Sequence, residues 1–142
     1  LKKIQWSKEL ETGFGVIDMQ HRELVSKINQ LVDVLQGVDT GFSLDELFIF
    51  LEEYVDVHFR TEEMYMEQSG YPELDNHKKI HHWFEEKVRE MHAKYLKDGR
   101  SASLMEDVEK FLVDWLSDHI MKTDKKLGAY LVQKLKEVEG EA

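Results

Sequence analysis

Cysteine is absent from the 142-residue chain. That excludes disulfides, thiolate metal sites and iron–sulfur clusters, and leaves the redox compartment unreadable. Proline occurs once, at Pro72, and no run alternates β-branched with polar residues, so little in the chain interrupts a helix or favours a strand. No apolar run approaches the roughly 18 residues of a membrane span, and no signal sequence is visible at the N-terminus. These absences give an expected cytoplasmic location with no direct membrane insertion. Positive charge is short: 19 Lys and Arg face 29 Asp and Glu, a formal net charge of −10. That argues against nucleic acid or an anionic membrane as a partner. Position 1 is Leu1 and not methionine, so the chain is expected to be processed, trimmed or excised from a longer protein. Its length suits one domain, expected to span residues 1–142, with residues 1–16 as a loop-rich N-terminal arm anchored by Trp6.

What remains is helix-forming sequence at helical spacing. Breaks fall at GVDTGFS (37–43), SGYP (69–72) and KDGRSAS (97–103). Ser43 with Glu46, and Ser103 with Glu106, read as capping boxes. Asp18 is a candidate N-cap for the first helix, and Pro72 suits the first turn of the third. Helices are expected near 18–36, 43–68, 72–97 and 103–120, with a short extra helix near 124–137. Short connections make neighbours antiparallel, so the predicted fold is all-α: an antiparallel up-down-up-down four-helix bundle with an N-terminal loop arm and a short C-terminal helix.

The apolar stripes carry an anomaly. Read with the spacing of a bundle seam, the first helix presents Ile17, His21, Leu24, Ile28, Leu31 and Leu35. The second presents Phe48, Leu51, Val55, His58, Glu62 and Tyr65. The third presents Leu74, His77, His81, Phe84, Val88, Met91 and Tyr95, and the fourth Met105, Val108, Leu112, Trp115 and His119. Five of the seven histidines therefore face inward with one glutamate, while His82 and His92 fall off the seam and read as surface residues. The starts of helices one and three and the ends of helices two and four meet at one end of such a bundle, so all six side chains converge in one layer. A single buried histidine is ordinarily a hydrogen-bonded core residue. Five, with a carboxylate, would leave many polar atoms unsatisfied at ~1–3 kcal/mol each. Metal ligation removes that cost.

Nitrogen and oxygen donors without sulfur suit iron, manganese, zinc or copper. The set exceeds what one ion can use, and two ions bridged by carboxylates need a second acid. Asp124 is the candidate. Five residues after His119, it stands about 500° further round an ideal helix, so the two share a face only if the helix is distorted or broken near Ile120–Thr123.

The motifs DMQH (18–21), HFRTEE (58–63), GYPELDNHKKIH (70–81) and DWLSDHIMKTD (114–124) give, in order, a lone histidine, HxxxE, HxxxH and HxxxxD. Over nearly its whole length the chain resembles the hemerythrin family of the bacterial type. The resemblance implies two iron ions with an oxo or hydroxo bridge. One iron takes His77, His81 and His119; the other takes His21 and His58; Glu62 and Asp124 bridge both. It implies reversible dioxygen binding at the two-histidine iron, whose position is left open, in a pocket lined by Phe59, Trp115, Leu116 and Ile120. Small anions such as azide or chloride are expected on the diferric state. The protein would be an oxygen carrier or store, or the oxygen-sensing domain of a larger protein with signalling domains in the same chain, and not an enzyme. The alternative is a redox sensor, or a di-iron enzyme acting on peroxide or nitric oxide.

Overall fold

A computed structural model of the chain describes residues 1–141; Ala142, the last residue of the expected domain, lies outside them. Three long helices, α1 (Gly15–Leu35), α2 (Leu44–Ser69) and α3 (Leu74–Asp98), precede a fourth helical column, residues 102–141. Cross-helix contacts run in opposite senses along each neighbouring pair. Gln20 meets Thr61 while Lys27 lies over Phe50. Arg60 meets Glu85 while Asp45 meets His92. His77 faces His119 while Lys94 reaches Asp107. The bundle is therefore antiparallel throughout, as expected from the short connections.

Local signals set most of the boundaries. Ser43 caps α2 by accepting from the Glu46 N–H at 3.1 Å. Gly70 ends α2 at φ 69°, a left-handed turn that lets the Tyr71 N–H reach Met66 O at 2.9 Å. Three expectations need correction. The fourth column is capped by Ser101, which accepts from Leu104, and not by Ser103, whose hydroxyl takes Lys94 instead. Asp18 lies inside α1, and its carboxylate accepts from the Thr12 N–H and hydroxyl at 2.7 Å each, so it ties down the arm. Pro72 falls in the turn ahead of α3.

The fourth column departs most from the sequence expectation. It is α-helical over Ala102–Asp107 (α4), wide-turned and π-helical over Val108–Trp115, α-helical over Leu116–His119 (α5), π-helical again over Ile120–Asp124, and α-helical over Lys125–Glu141 (α6). The expected short extra helix is thus a continuation of the fourth. Leu104, Val108, Leu112, Leu116, Ile120 and Asp124 are all buried at intervals of four. In a 3.6-residue helix such a row would drift by about 40° per step; the wide i→i+5 turns keep it on one face. This register puts Leu104 inside in place of Met105, and Leu116 in place of Trp115.

The interior is two apolar clusters. The larger holds Leu24, Phe59, Phe84, Leu116 and Ile120; the smaller holds Ile17, Met66, Tyr71, Leu127 and Leu131. Leu74 packs on the smaller. On every helix the seam histidines fall between a residue of one cluster and a residue of the other, so the polar layer divides the core in two.

Trp6 packs half-buried on the larger cluster, but the arm is anchored chiefly by buried Ile4 and Leu10. The Asn29 side chain accepts from the Ile4 N–H at 2.8 Å and donates to its carbonyl at 2.9 Å. The arm then crosses α6 at Gly128, where a Cβ would stand 2.5 Å from Thr12 Cβ and from its carbonyl oxygen. Backbone cannot yield cheaply there, so Gly128→Ala should lower stability by about 1–3 kcal/mol. Gly15→Ala, at a helical position with open space around it, should be neutral or stabilising. Chemical denaturation of both variants measures this; equal midpoints would mean that the arm does not pack on α6.

Candidate metal centre

All seven residues singled out from the sequence meet in the layer between the clusters. His21, His58, Glu62, His77, His81, His119 and Asp124 are each 5% exposed or less. α1 supplies His21, and one turn of α2 supplies His58 and Glu62. One turn of α3 supplies His77 and His81. The π segment Ile120–Asp124 answers the five-residue problem: i→i+5 turns bring His119 and Asp124 to the same face, with Nε2 3.2 Å from Oδ1.

The donor atoms sort into two groups, His77, His81, His119 and Asp124, and His21, His58, Glu62 and Asp124, each within 4.8 Å of one another. Both carboxylates straddle the division. Glu62 directs Oε1 at His81 (2.9 Å) and His77 (3.7 Å), and Oε2 at His58 (3.4 Å) and His21 (3.7 Å). Asp124 directs Oδ1 at His77 and His119 (3.2 Å each) and Oδ2 at His21 (3.0 Å). The five imidazoles all turn Nε2 towards these oxygens.

Close as these approaches are, they are not well-directed hydrogen bonds. Among the described residues, the buried side-chain atoms without a hydrogen-bond partner include Nε2 of all five histidines, both oxygens of Glu62 and Oδ1 of Asp124. Such a concentration of orphaned donor atoms costs heavily in an apolar core, and it is what a metal pair satisfies. The residues therefore fit the group that the sequence implies.

Outer partners fix the tautomers. His58 Nδ1 lies 2.8 Å from Gln20 Oε1, and His81 Nδ1 lies 2.9 Å from Glu63 Oε2. A proton on each Nδ1 leaves the Nε2 lone pair free for a metal. Glu63 is held in turn by Arg60 at 3.1 Å, and Arg60 by Glu85 at 2.9 Å. Neither Gln20 nor Glu63 stood out in the sequence, although Gln20 precedes His21 and Glu63 follows Glu62. Phe59 stacks on His81 (3.8 Å, 2°) and Trp115 on His119 (4.9 Å, 13°). Phe59, Leu116 and Ile120 belong to the larger cluster.

Of the two histidines left outside, His82 is exposed beside Glu86. His92 is not the free surface residue expected. It stacks on Phe48 and bonds Asp45 at 2.7 Å and Glu52 at 2.9 Å, because two α2 carboxylates draw it down. Burial disfavours its charge, but those two carboxylates raise its pKa overall.

Metal-free, the layer is held by charge. Burial works against ionising Glu62, as does Asp124, yet His58 and His81 bring it down to about 2. Burial likewise opposes charge on His81, yet Glu62 and Glu63 push it up to about 9. Asp124 is lowered well below the carboxylate range, against burial, chiefly by His119.

Together the fold and the site define a histidine–carboxylate protein built for two metal ions. The family model described as the hemerythrin HHE cation binding domain matches residues 12–131. A bacteriohemerythrin of Clostridium acetobutylicum is 31% identical over 124 residues, 85% of this chain and 95% of that protein. A myohemerythrin of Theromyzon tessulatum is 32% identical over 122 residues, 86% and 88% of the two chains. The crystal structure of a wild-type hemerythrin superposes with a TM-score of 0.77 at 28% identity, covering 90% of this chain and 97% of that one. The chain belongs to the hemerythrin family, di-iron proteins that bind dioxygen.

Iron analysis of variants tests the inward register. His77→Ala should lower iron sharply, and His82→Ala should leave it unchanged; equal loss in both would refute the register. Proton counting tests the electrostatics. His81 is protonated at pH 7 in the metal-free protein because its pKa is raised to about 9, and a metal must displace the Nε2 proton. Ferrous uptake in weak buffer at pH 7 should release on the order of one proton or more per chain, and apparent affinity should fall as pH drops. A dye indicator reads the release; pH-independent uptake would contradict it.

Proposed function

We propose that residues 1–142 form a single hemerythrin-like domain that binds dioxygen reversibly, as a carrier or store, in the cytoplasm and without enzymatic turnover. The observation that carries this reading is the unequal division of donors. One group has three histidines and the other two, and both carboxylates offer an oxygen to each. The two-histidine side is one donor short, which would leave a coordination position for a small ligand. In this reading His77, His81 and His119 hold one iron, His21 and His58 hold the other, and Glu62 and Asp124 bridge them. When bound, the iron pair supplies the electrons and the open coordination position that dioxygen requires.

The remaining work is done by the chain. Gln20 holds the His58 ring at the angle its Nε2 needs, and Glu63 does the same for His81. Phe59, Leu116 and Ile120 close the layer to water from the larger cluster, and Trp115 backs His119 from outside. A dry wall there keeps solvent from displacing the ligand. With dioxygen gone and the iron oxidised, the same opening would take a small anion such as azide or chloride. The described helices include none long and apolar enough to cross a membrane. In a longer chain the same binding event could drive signalling domains, with dioxygen as the sensed ligand.

Optical spectroscopy tests reversibility. The reduced protein should be nearly colourless, gain a visible band with dioxygen and lose it again under vacuum, over several cycles. Immediate, irreversible oxidation with no such band would replace this reading with redox sensing, or with chemistry on peroxide or nitric oxide.

A further inference from the structure

A line of rings runs from the protein surface to the ligand layer. Trp83, on α3, is 36% exposed. Its ring centroid lies 4.9 Å from that of Trp115. Trp115 lies nearly flat on His119, 4.9 Å away at 13°, and His119 Nε2 is 3.2 Å from Asp124. His119 is the most exposed of the five inward histidines, at 5%. A cleft of about 410 Å³ reaches it, walled by Lys79, Ile80, Trp83, Trp115 and Asp118. A second ring path leads from His77 through Tyr71 to Tyr130, but it meets its histidine edge-on and at a greater distance, 6.4 Å.

Holding iron and admitting dioxygen do not call for this line. A lone exposed indole is unremarkable on a protein surface. What sets Trp83 apart is unbroken ring contact with a ligand histidine. Contacting π systems couple a surface point to a buried redox centre, and a dioxygen-binding iron pair needs such coupling whenever it is left oxidised, since the oxidised pair no longer binds dioxygen.

We propose that Trp83, Trp115 and His119 form an electron port, and that the cleft beside them seats a reduced flavin nucleotide that returns the oxidised iron pair to its dioxygen-binding state. This rests on the di-iron reading above. Two indoles and the Ile80 side chain suit a planar aromatic ring system. Charge suits its phosphate. Lys79, in the cleft wall, forms no ion pair among the described residues; Lys87, whose ammonium stands 5.7 Å from the Trp83 ring centroid, is already paired with Glu90 at 3.3 Å. Asp118, the carboxylate of the cleft, is already paired with Lys122 at 2.9 Å. With Lys87 and Asp118 both paired, Lys79 leaves one positive charge at the cleft for the phosphate, although the whole chain is acidic. The exchange balances: the reduced flavin loses two electrons and two protons and leaves oxidised. Each ferric ion gains one electron, and the protons pass to solvent. No bond forms between flavin and protein.

The test uses the iron-loaded, oxidised protein, with flavin mononucleotide as the probe. Binding of oxidised flavin is followed by its fluorescence. Reduction of the iron pair by reduced flavin is followed anaerobically by stopped-flow absorbance, with dithionite as a small reductant that needs no aromatic seat. Trp83→Leu keeps the cleft apolar and removes the ring. It should weaken flavin binding roughly tenfold and slow reduction by flavin at least as much, while iron content and reduction by dithionite stay as in the parent protein. Three results would overturn the proposal: no flavin binding to the parent protein, an unchanged flavin-driven rate in Trp83→Leu, or slowing confined to Tyr71→Leu. The dioxygen band of the same preparations, recorded separately after reduction by dithionite, shows whether the di-iron reading holds on its own.

Discussion

Two carboxylates, each with one oxygen towards the three-histidine group and the other towards the two-histidine group, sit almost wholly buried in the layer between the clusters. Ionised groups in such a place cost several kcal/mol apiece unless they are compensated, and the rest of the bundle is arranged around that compensation. The antiparallel order brings the beginnings of two helices to the ends of two others, so that four separate helices contribute donors at one depth. The apolar clusters above and below exclude competing water. Without metal, the layer keeps its charges by pairing depressed carboxylates with at least one imidazolium. Metal replaces this strained compromise, because an imidazole lone pair and a carboxylate oxygen that face each other poorly as hydrogen-bond partners both face a cation well.

The two halves of the layer are held differently from outside. His81 leans on an ionised carboxylate, Glu63, which is itself steadied by Arg60. His58 leans on the neutral amide of Gln20. An anionic partner strengthens an imidazole as a donor more than an amide does. The three-histidine side is therefore richer in donor atoms and also in donor strength. Under the proposed function, the two-histidine side, where dioxygen would bind, is the electron-poorer one, which suits a position that has to accept a ligand and give it up.

The periodicity of the sequence carried the bundle, the inward histidines and their common depth, because apolar spacing reports burial directly. Asp124 was harder. On an ideal helix it points the wrong way, and its membership came from resemblance; the π segment that turns it inward leaves no mark in composition. The same wide turns bring Leu104 and Leu116 inside, where regular helical spacing predicts Met105 and Trp115. Caps failed where a nearer competitor existed: Ser101 wins over Ser103, and Asp18 spends its carboxylate on Thr12. His92 departs from the surface position its spacing predicts because its partners, Asp45 and Glu52, lie 47 and 40 residues away in the chain. Gln20 and Glu63 were invisible for a related reason. A hydrogen bond to the far nitrogen of a histidine has no spacing rule.

Because the fourth column runs without a break through Asp124 to Glu141, the carboxylate shared by both histidine groups is mounted at the base of a rod. The 17 residues of α6 extend it by about 25 Å. Only the near part of that rod is gripped, by Leu127 and Leu131 in the smaller cluster and by Thr12 against Gly128; Leu135 and Val138 beyond are exposed. A lever held near its fulcrum magnifies motion at its tip: a tilt of about 5° at Asp124 displaces the far end by about 2 Å. The geometry of Asp124 is thereby legible, enlarged, at the far end of α6.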